Sequence, residues 1–253
     1  DTVVIGAYLQ DLALNTDQGS AWVFSRIDST WIGPDLKGIA SDGAAGDNFG
    51  ISIAISGDTA IVGARADDIG ANTDQGSAYV FVRSGSAWVQ QAKLNAFDGA
   101  TSDNLGFSVA VSGDTAVVGA YQDDVGSNSN QGSAYVFART PGGTTWTQQA
   151  KLVAADGAVG DYFGYCVAVS GDTALIGAVL DDLSFTDQGS AYVFTRSGTT
   201  WTQQTRLTAS DAAANDNFGG SVTISGDTAF IGAYAKNNQQ GAAYAFARSG
   251  SQW

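Results

Sequence analysis

The chain has 253 residues, 44% of them hydrophobic, and a formal charge of −14 in which every acidic residue is Asp, set against 11 Lys and Arg. That is ample apolar material for a buried core, and the charge argues against nucleic acid and anionic membranes, both of which are held by clustered cations. With no His, no Glu and a single Cys, a Ser-His-Asp triad, a Cys-His pair and imidazole or multi-thiolate metal sites are excluded, leaving hard oxygen ligands of the kind calcium or magnesium takes.

The first element is DTVVIGA at residue 1, and it returns as DTAIVGA at 58, DTAVVGA at 114, DTALIGA at 172 and DTAFIGA at 227, at intervals of 57, 56, 58 and 55 residues. Next comes QGSAWVF at 18, repeated as QGSAYVF at 75, 131 and 188 and as QGAAYAF at 240. TWIGPDLK at 30 follows, answered later by AWVQQAKL, TWTQQAKL and TWTQQTRL. A turn-rich stretch then leads to GISIAIS at 50, with GFSVAVS, GYCVAVS and GGSVTIS as later copies. One unit is therefore four segments, here called A (GISIAIS), B (DTAIVGA), C (QGSAYVF) and D (AWVQQAKL).

Each segment reads as a strand, because residues alternate between two faces over four to eight positions and Gly, Ser, Asp or Asn fill the gaps. In A, Ile51, Ile53 and Ile55 face one way and Ser52, Ala54 and Ser56 the other. Gly57-Asp58 suits the positive φ of a tight A–B hairpin. In C, Ser77, Tyr79 and Phe81 share a face, with Ala78 and Val80 opposite. D is the most polar segment; its Gln and Lys blunt an outer sheet edge, the one place Pro34 is tolerated. Tandem four-stranded antiparallel units of this period predict an all-β fold, a β-propeller, with few helices. The blade repeats run over 1–48, 49–105, 106–162, 163–217 and 218–253, in a single propeller domain or propeller segment.

These units resemble FG-GAP repeats, known from integrin α-subunit propellers and bacterial surface proteins. Phe49-Gly50, Phe163-Gly164 and Phe218-Gly219 supply the FG, with Leu105-Gly106 a variant. Gly6-Ala7, Gly63-Ala64, Gly119-Ala120, Gly177-Ala178 and Gly232-Ala233 supply the GA, without a following Pro. The first unit lacks strand A and the last lacks strand D. The ends thus fit either a five-bladed ring without its seam or an excerpt from a longer propeller. The resemblance, whose rings commonly have seven blades, favours the excerpt. A start at Asp1 rather than Met points the same way, to a processed or partial chain.

Alternating strand direction puts the B–C and D–A loops on one face and the short A–B and C–D turns on the other. The first set carries 18 of the 25 Asp, so that face is expected to be acidic and to hold any ligand. Calcium is one reading of the B–C carboxylates: Asp11 and Asp17; Asp67, Asp68 and Asp74; Asp123 and Asp124; Asp181, Asp182 and Asp187. The integrin-type calcium loop, however, joins strands A and B, and here that connection is only SGD. The other reading is that these Asp cap turns. Four equivalent D–A pairs, Asp42/Asp47, Asp98/Asp103, Asp156/Asp161 and Asp211/Asp216, speak for architecture over catalysis, which needs differently tuned groups. Cys166 fills the slot of Ser52, Ser108 and Ser221 and reads as structural, as do the recurring Arg that end C and the Trp that open D.

The copies disagree immediately after GA, at Tyr8, Arg65, Tyr121, Val179 and Tyr234, and this mosaic is the candidate ligand site. The expectation is a non-enzymatic, secreted or surface-displayed binding or adhesion module for a glycan or protein, without membrane insertion. The alternative is a structural repeat component of a surface assembly or filament, with self-assembly or a larger parent chain.

Overall fold

The computed structural model describes residues 1–85 and 87–253, without the side chains of residues 34–36, so the surroundings of the Pro34 ring lie outside the described residues. Five antiparallel sheets follow one another along the chain. The first holds β1 (Thr2–Ala7), β2 (Ser20–Ile27) and β3 (Thr30–Gly38). The second holds β4 (Phe49–Ser56), β5 (Thr59–Ala64), β6 (Ser77–Ser84) and β7 (Ala87–Leu94). The third comprises β8 (Ser108–Ser112), β9 (Thr115–Ala120), β10 (Ser133–Arg139) and β11 (Trp146–Leu152), and the fourth β12 (Phe163–Ser170), β13 (Thr173–Ala178), β14 (Ser190–Ser197) and β15 (Thr200–Leu207). The last has β16 (Phe218–Ser225), β17 (Thr228–Ala233) and β18 (Ala242–Ala247), with a four-residue helical turn, Lys236–Gln239, before β18. Strands pair in order A-B-C-D in the three four-stranded sheets, B-C-D in the first and A-B-C in the last, as propeller blades do. Among the described residues no helix is long and apolar enough to cross a membrane.

The core lies between blades. Four apolar clusters each join one sheet to the next, because both faces of B and C are apolar and a single sheet cannot bury both. Strand A is the inner strand: β4, β8, β12 and β16 meet in succession. The close approach is made by the GA glycine. A Cβ on Gly63 would stand 1.9 Å from the carbonyl oxygen of Gly106, and one on Gly119 2.0 Å from that of Gly164. The glycine of B lets the blades approach, and Ser52 and Ser108 of A bond the same Gly106 and Gly164 carbonyls.

Three polar contacts repeat across the same seams. In the Gln-Gly phrase, the carbonyls of Gln18, Gln75, Gln131 and Gln188 each accept the amide N–H of Phe49, Leu105, Phe163 and Phe218 in the next blade at 2.9 Å. At the rim, the C–D ladder carries a bulge that skips Gln91, Gln149 and Gln204, and these three accept the indole N–H of Trp146, Trp201 and Trp253 at 2.9, 2.8 and 3.1 Å. Arg139, Arg196 and Arg248 pair with Asp114, Asp172 and Asp227 of their own blade and reach Thr59, Thr115 and Thr173 of the preceding one.

The end sheets lack this cover on one side. Val3 and Ile5 of β1 are 37% and 52% exposed and Phe230 of β17 is 50% exposed, whereas their counterparts Ala60, Val62 and Ile61 in the second blade are buried.

Candidate functional site

The long loops share a face, as expected, because each B–C loop hydrogen-bonds to the D–A loop that follows its blade: Gly46 N–H to Thr16 O, Ser102 to Thr73, Gly160 to Ser129 and Asn215 to Thr186, at 2.8–3.0 Å. Their Asp are used in building that face. Asp11, Asp68, Asp124 and Asp182 each accept a backbone N–H five or six residues on, from Asp17, Asp74, Asn130 and Asp187. Asp17, Asp74 and Asp187 themselves adopt left-handed φ of 51°, 53° and 49°. Asp67, Asp123 and Asp181 are buried. Asp67 accepts the Ser77 hydroxyl and the Tyr79 phenol, and Lys93 Nζ bridges it to Asp42, 2.7 Å from each. Lys151 does the same for Asp98 and Asp123, and Arg206 stands between Asp156 and Asp181. Among the described residues no three carboxylates or thiolates gather in a way that holds a metal; seven of the ten calcium candidates accept hydrogen bonds in turns or core, and Asp17, Asp74 and Asp187 hold left-handed turn positions.

The D–A pairs divide into an outer and an inner partner. Burial works to raise Asp42 and Asp98, but hydrogen bonds from Lys93 and Tyr79, and from Lys151 and Tyr135, hold both below the usual range. Asp47, Asp103 and Asp161 are pushed up to about 6, chiefly by burial, while a backbone N–H from Ala44, Ala100 and Ala158 opposes. In the last blade Lys236 stands where the second, third and fourth have Asp67, Asp123 and Asp181, and its Nζ meets Asp216 at 2.8 Å and Asp211 at 3.5 Å. The cation that other blades bring from strand D is there supplied by the loop. Cys166 is half-buried, with its thiol raised by burial, in a strand slot where Ser52 and Ser108 bond the carbonyls of Gly106 and Gly164.

What the repeat does not consume is aromatic. Tyr121 lies 4.4 Å from Phe107, 5.8 Å from Tyr165 and 5.3 Å from Tyr162, centroid to centroid, and Phe107 is 5.1 Å from Tyr165. All four rings are half-buried. Tyr234, 56% exposed, extends the strip: its ring lies over Gly220, where a Cβ would sit 2.6 Å from Cδ1, and its phenol is raised by burial and by the nearby Tyr165 and Asp187. At the other end Arg65 Nη1 donates to Asn104 Oδ1 at 3.3 Å, and its charge offsets the burial that raises the Tyr121 phenol.

Of the mosaic residues, Arg65, Tyr121 and Tyr234 thus join this strip, and Tyr8, 38% exposed, borders a shallow pocket with Leu9 and Trp22 on the first blade. Val179 is a correction: it is 2% exposed, its aliphatic side chain packed inward, so it presents no binding surface. Phe107, Tyr162 and Tyr165 belong to the strip and were missed. The signal was there, since segment A varies at Ile51, Phe107, Tyr165 and Gly220, and the last residue of the D–A loop before it varies at Asn48, Asn104, Tyr162 and Asn217.

The FG-GAP repeat model matches residues 37–81, 88–137, 146–194 and 201–246. Among solved structures the chain is similar to Saccharomyces cerevisiae Sqt1, at 10% identity and a TM-score of 0.43, over 72% of this chain and 41% of that one. No curated protein matches the sequence.

Proposed function

The chain belongs to the FG-GAP repeat family, and on that footing we propose that it is an extracellular, non-enzymatic binding module whose ligand lies on the loop-bearing face, over the strip of rings. The observation that carries this reading is the strip itself. Phe107, Tyr121, Tyr162, Tyr165 and Tyr234 stand at positions where the repeats differ, on a scaffold that otherwise repeats its contacts blade by blade. Half-exposed Tyr and Phe give a large amphipathic contact area at low conformational cost, and such residues dominate binding energy where they cluster. The carboxylate pairs that a hydrolase would need recur four times in equivalent settings and are tied to backbone amides and cations, which supports a structural role for them.

A screen of the purified chain on an array of defined glycans and on immobilised extracellular-matrix proteins tests the reading. Tyr121→Ala and Tyr165→Ala are expected to abolish whatever specific signal is found, with the melting temperature little changed. Specific binding that survives both substitutions would move the site elsewhere.

A second reading, a repeat component of a surface assembly, is favoured by the exposed apolar residues on the end sheets, Val3, Ile5 and Phe230. Concentration-dependent association in sedimentation, removed by Phe230→Ser, would support it.

A further inference from the structure

Resting on that reading, we infer that the ligand is a glycan whose terminal pyranose carries one carboxylate, received by Arg65, with its sugar rings laid on Tyr121 and Tyr162. Two independent features lead there.

The first is the state of Arg65. Of 11 Lys and Arg, nine lie within ion-pair distance of a carboxylate: Arg26, Arg83, Lys93, Arg139, Lys151, Arg196, Arg206, Lys236 and Arg248. Lys37 lies over the Trp22 ring. Among the described residues Arg65 has no carboxylate within ion-pair distance; its neighbours are the neutral Asn104 and Tyr121 side chains, and its Nε is buried without a hydrogen-bond acceptor. In a chain with 25 Asp, an arginine left without one is unusual, and an unmet buried donor is costly. A ligand carboxylate is the group that a guanidinium with uncommitted donors recognises best.

The second is Tyr162. At this position the other blades use Asn48, Asn104 and Asn217 with left-handed φ of 56°, 58° and 56°, and Tyr162 keeps that conformation at 56°. Asn tolerates the left-handed region and a bulky residue does not. Tyr162 also gives up the side-chain donor with which Asn48 and Asn217 reach Asp17 O and Asp187 O in the preceding loop. Tyr162 keeps only the backbone bond to that loop, its N–H to Asn130 O at 3.3 Å, and a residue that is locally strained and lacks the side-chain bond, yet stands edge-on to Tyr121 at 5.3 Å, marks a functional position rather than a packing one.

The charge of the chain selects the class. Polysulfated or phosphorylated ligands meet a chain of net charge −14 with a single uncommitted arginine on the strip. A sugar with one carboxylate presents one negative group to Arg65, hydroxyl donors to the loop Asp and tyrosines, and a C–H face to the rings.

The test is calorimetry of the intact chain with a disaccharide ending in glucuronic acid and with the same disaccharide after its carboxyl is reduced to an alcohol. The acid is expected to bind at least about tenfold more tightly than the reduced form, the loss that one charge-assisted contact implies. Arg65→Gln should erase that preference by weakening the acid alone. Tyr162→Asn should weaken both sugars without lowering the melting temperature, since Asn is the residue the other blades carry. Equal affinity for the two sugars, or an Arg65→Gln variant that still prefers the acid, overturns the inference and leaves the binding-module reading standing. Absence of heat with either sugar from the folded chain also overturns it, while the array screen judges the broader reading separately.

Discussion

Asp103 shows how a single enclosed carboxyl makes this scaffold sensitive to pH. It is 4% exposed and raised to about 6, chiefly by burial, against 3.8 when free, so the folded chain binds its proton more tightly than the unfolded chain does. Its contribution is fully present below about pH 4 and is lost as pH rises through 6. Asp47 and Asp161 act in the same direction. Asp103→Asn keeps an acceptor for the Ala100 N–H and removes the charge, so it should raise the melting temperature at pH 8 and give little gain at pH 4.5. A gain independent of pH would show that the carboxyl is not the cause. Tyr162→Asn belongs to the same scale: relief of the left-handed tyrosine should stabilise the chain by roughly 1 kcal/mol in denaturant titration. No stabilisation would remove strain from the case for Tyr162.

Among elements, the strand B glycine and the blade-specific cation have the clearest consequences. Gly119→Ala would put a methyl 2.0 Å from the Gly164 carbonyl oxygen, backbone against backbone, so β9 and β12 must separate; the expected cost is about 3 kcal/mol. Lys236→Asp would restore the repeat's own residue yet leave Asp211 and Asp216 beside a third carboxylate, and it should lower the melting temperature more than Lys236→Gln. Equal losses would mean that Lys236 acts through packing alone. Strands A to D were legible because five copies averaged out local noise and their alternation matches the pleat. The bulge at Gln91 was not: a Gln pair in a polar strand reads as an edge, and only the next blade's Trp146, 55 residues away, gives one of them a buried task. The aromatic strip was half legible. Tyr121 and Tyr234 stood out after GA, but Phe107 and Tyr165 sat inside a strand pattern whose alternation already accounted for them.

For the whole molecule, every seam is between neighbours in sequence, and the stability of each blade is conferred largely by the one beside it. Amides of β9, β10 and β13, covered on both sides, should therefore be the slowest to exchange with deuterium, and those of β1 and β17 faster. Uniform protection across all five sheets would contradict this. The Gln-Gly clasp carries a consequence for how such a chain grows. Because Gln75 holds Leu105 and Gln131 holds Phe163, each period contains the donor half of one clasp and the acceptor half of another. A tandem duplication of one period, wherever its endpoints fall, adds one whole seam and breaks none. A change of blade number by recombination would thus need no compensating point mutation.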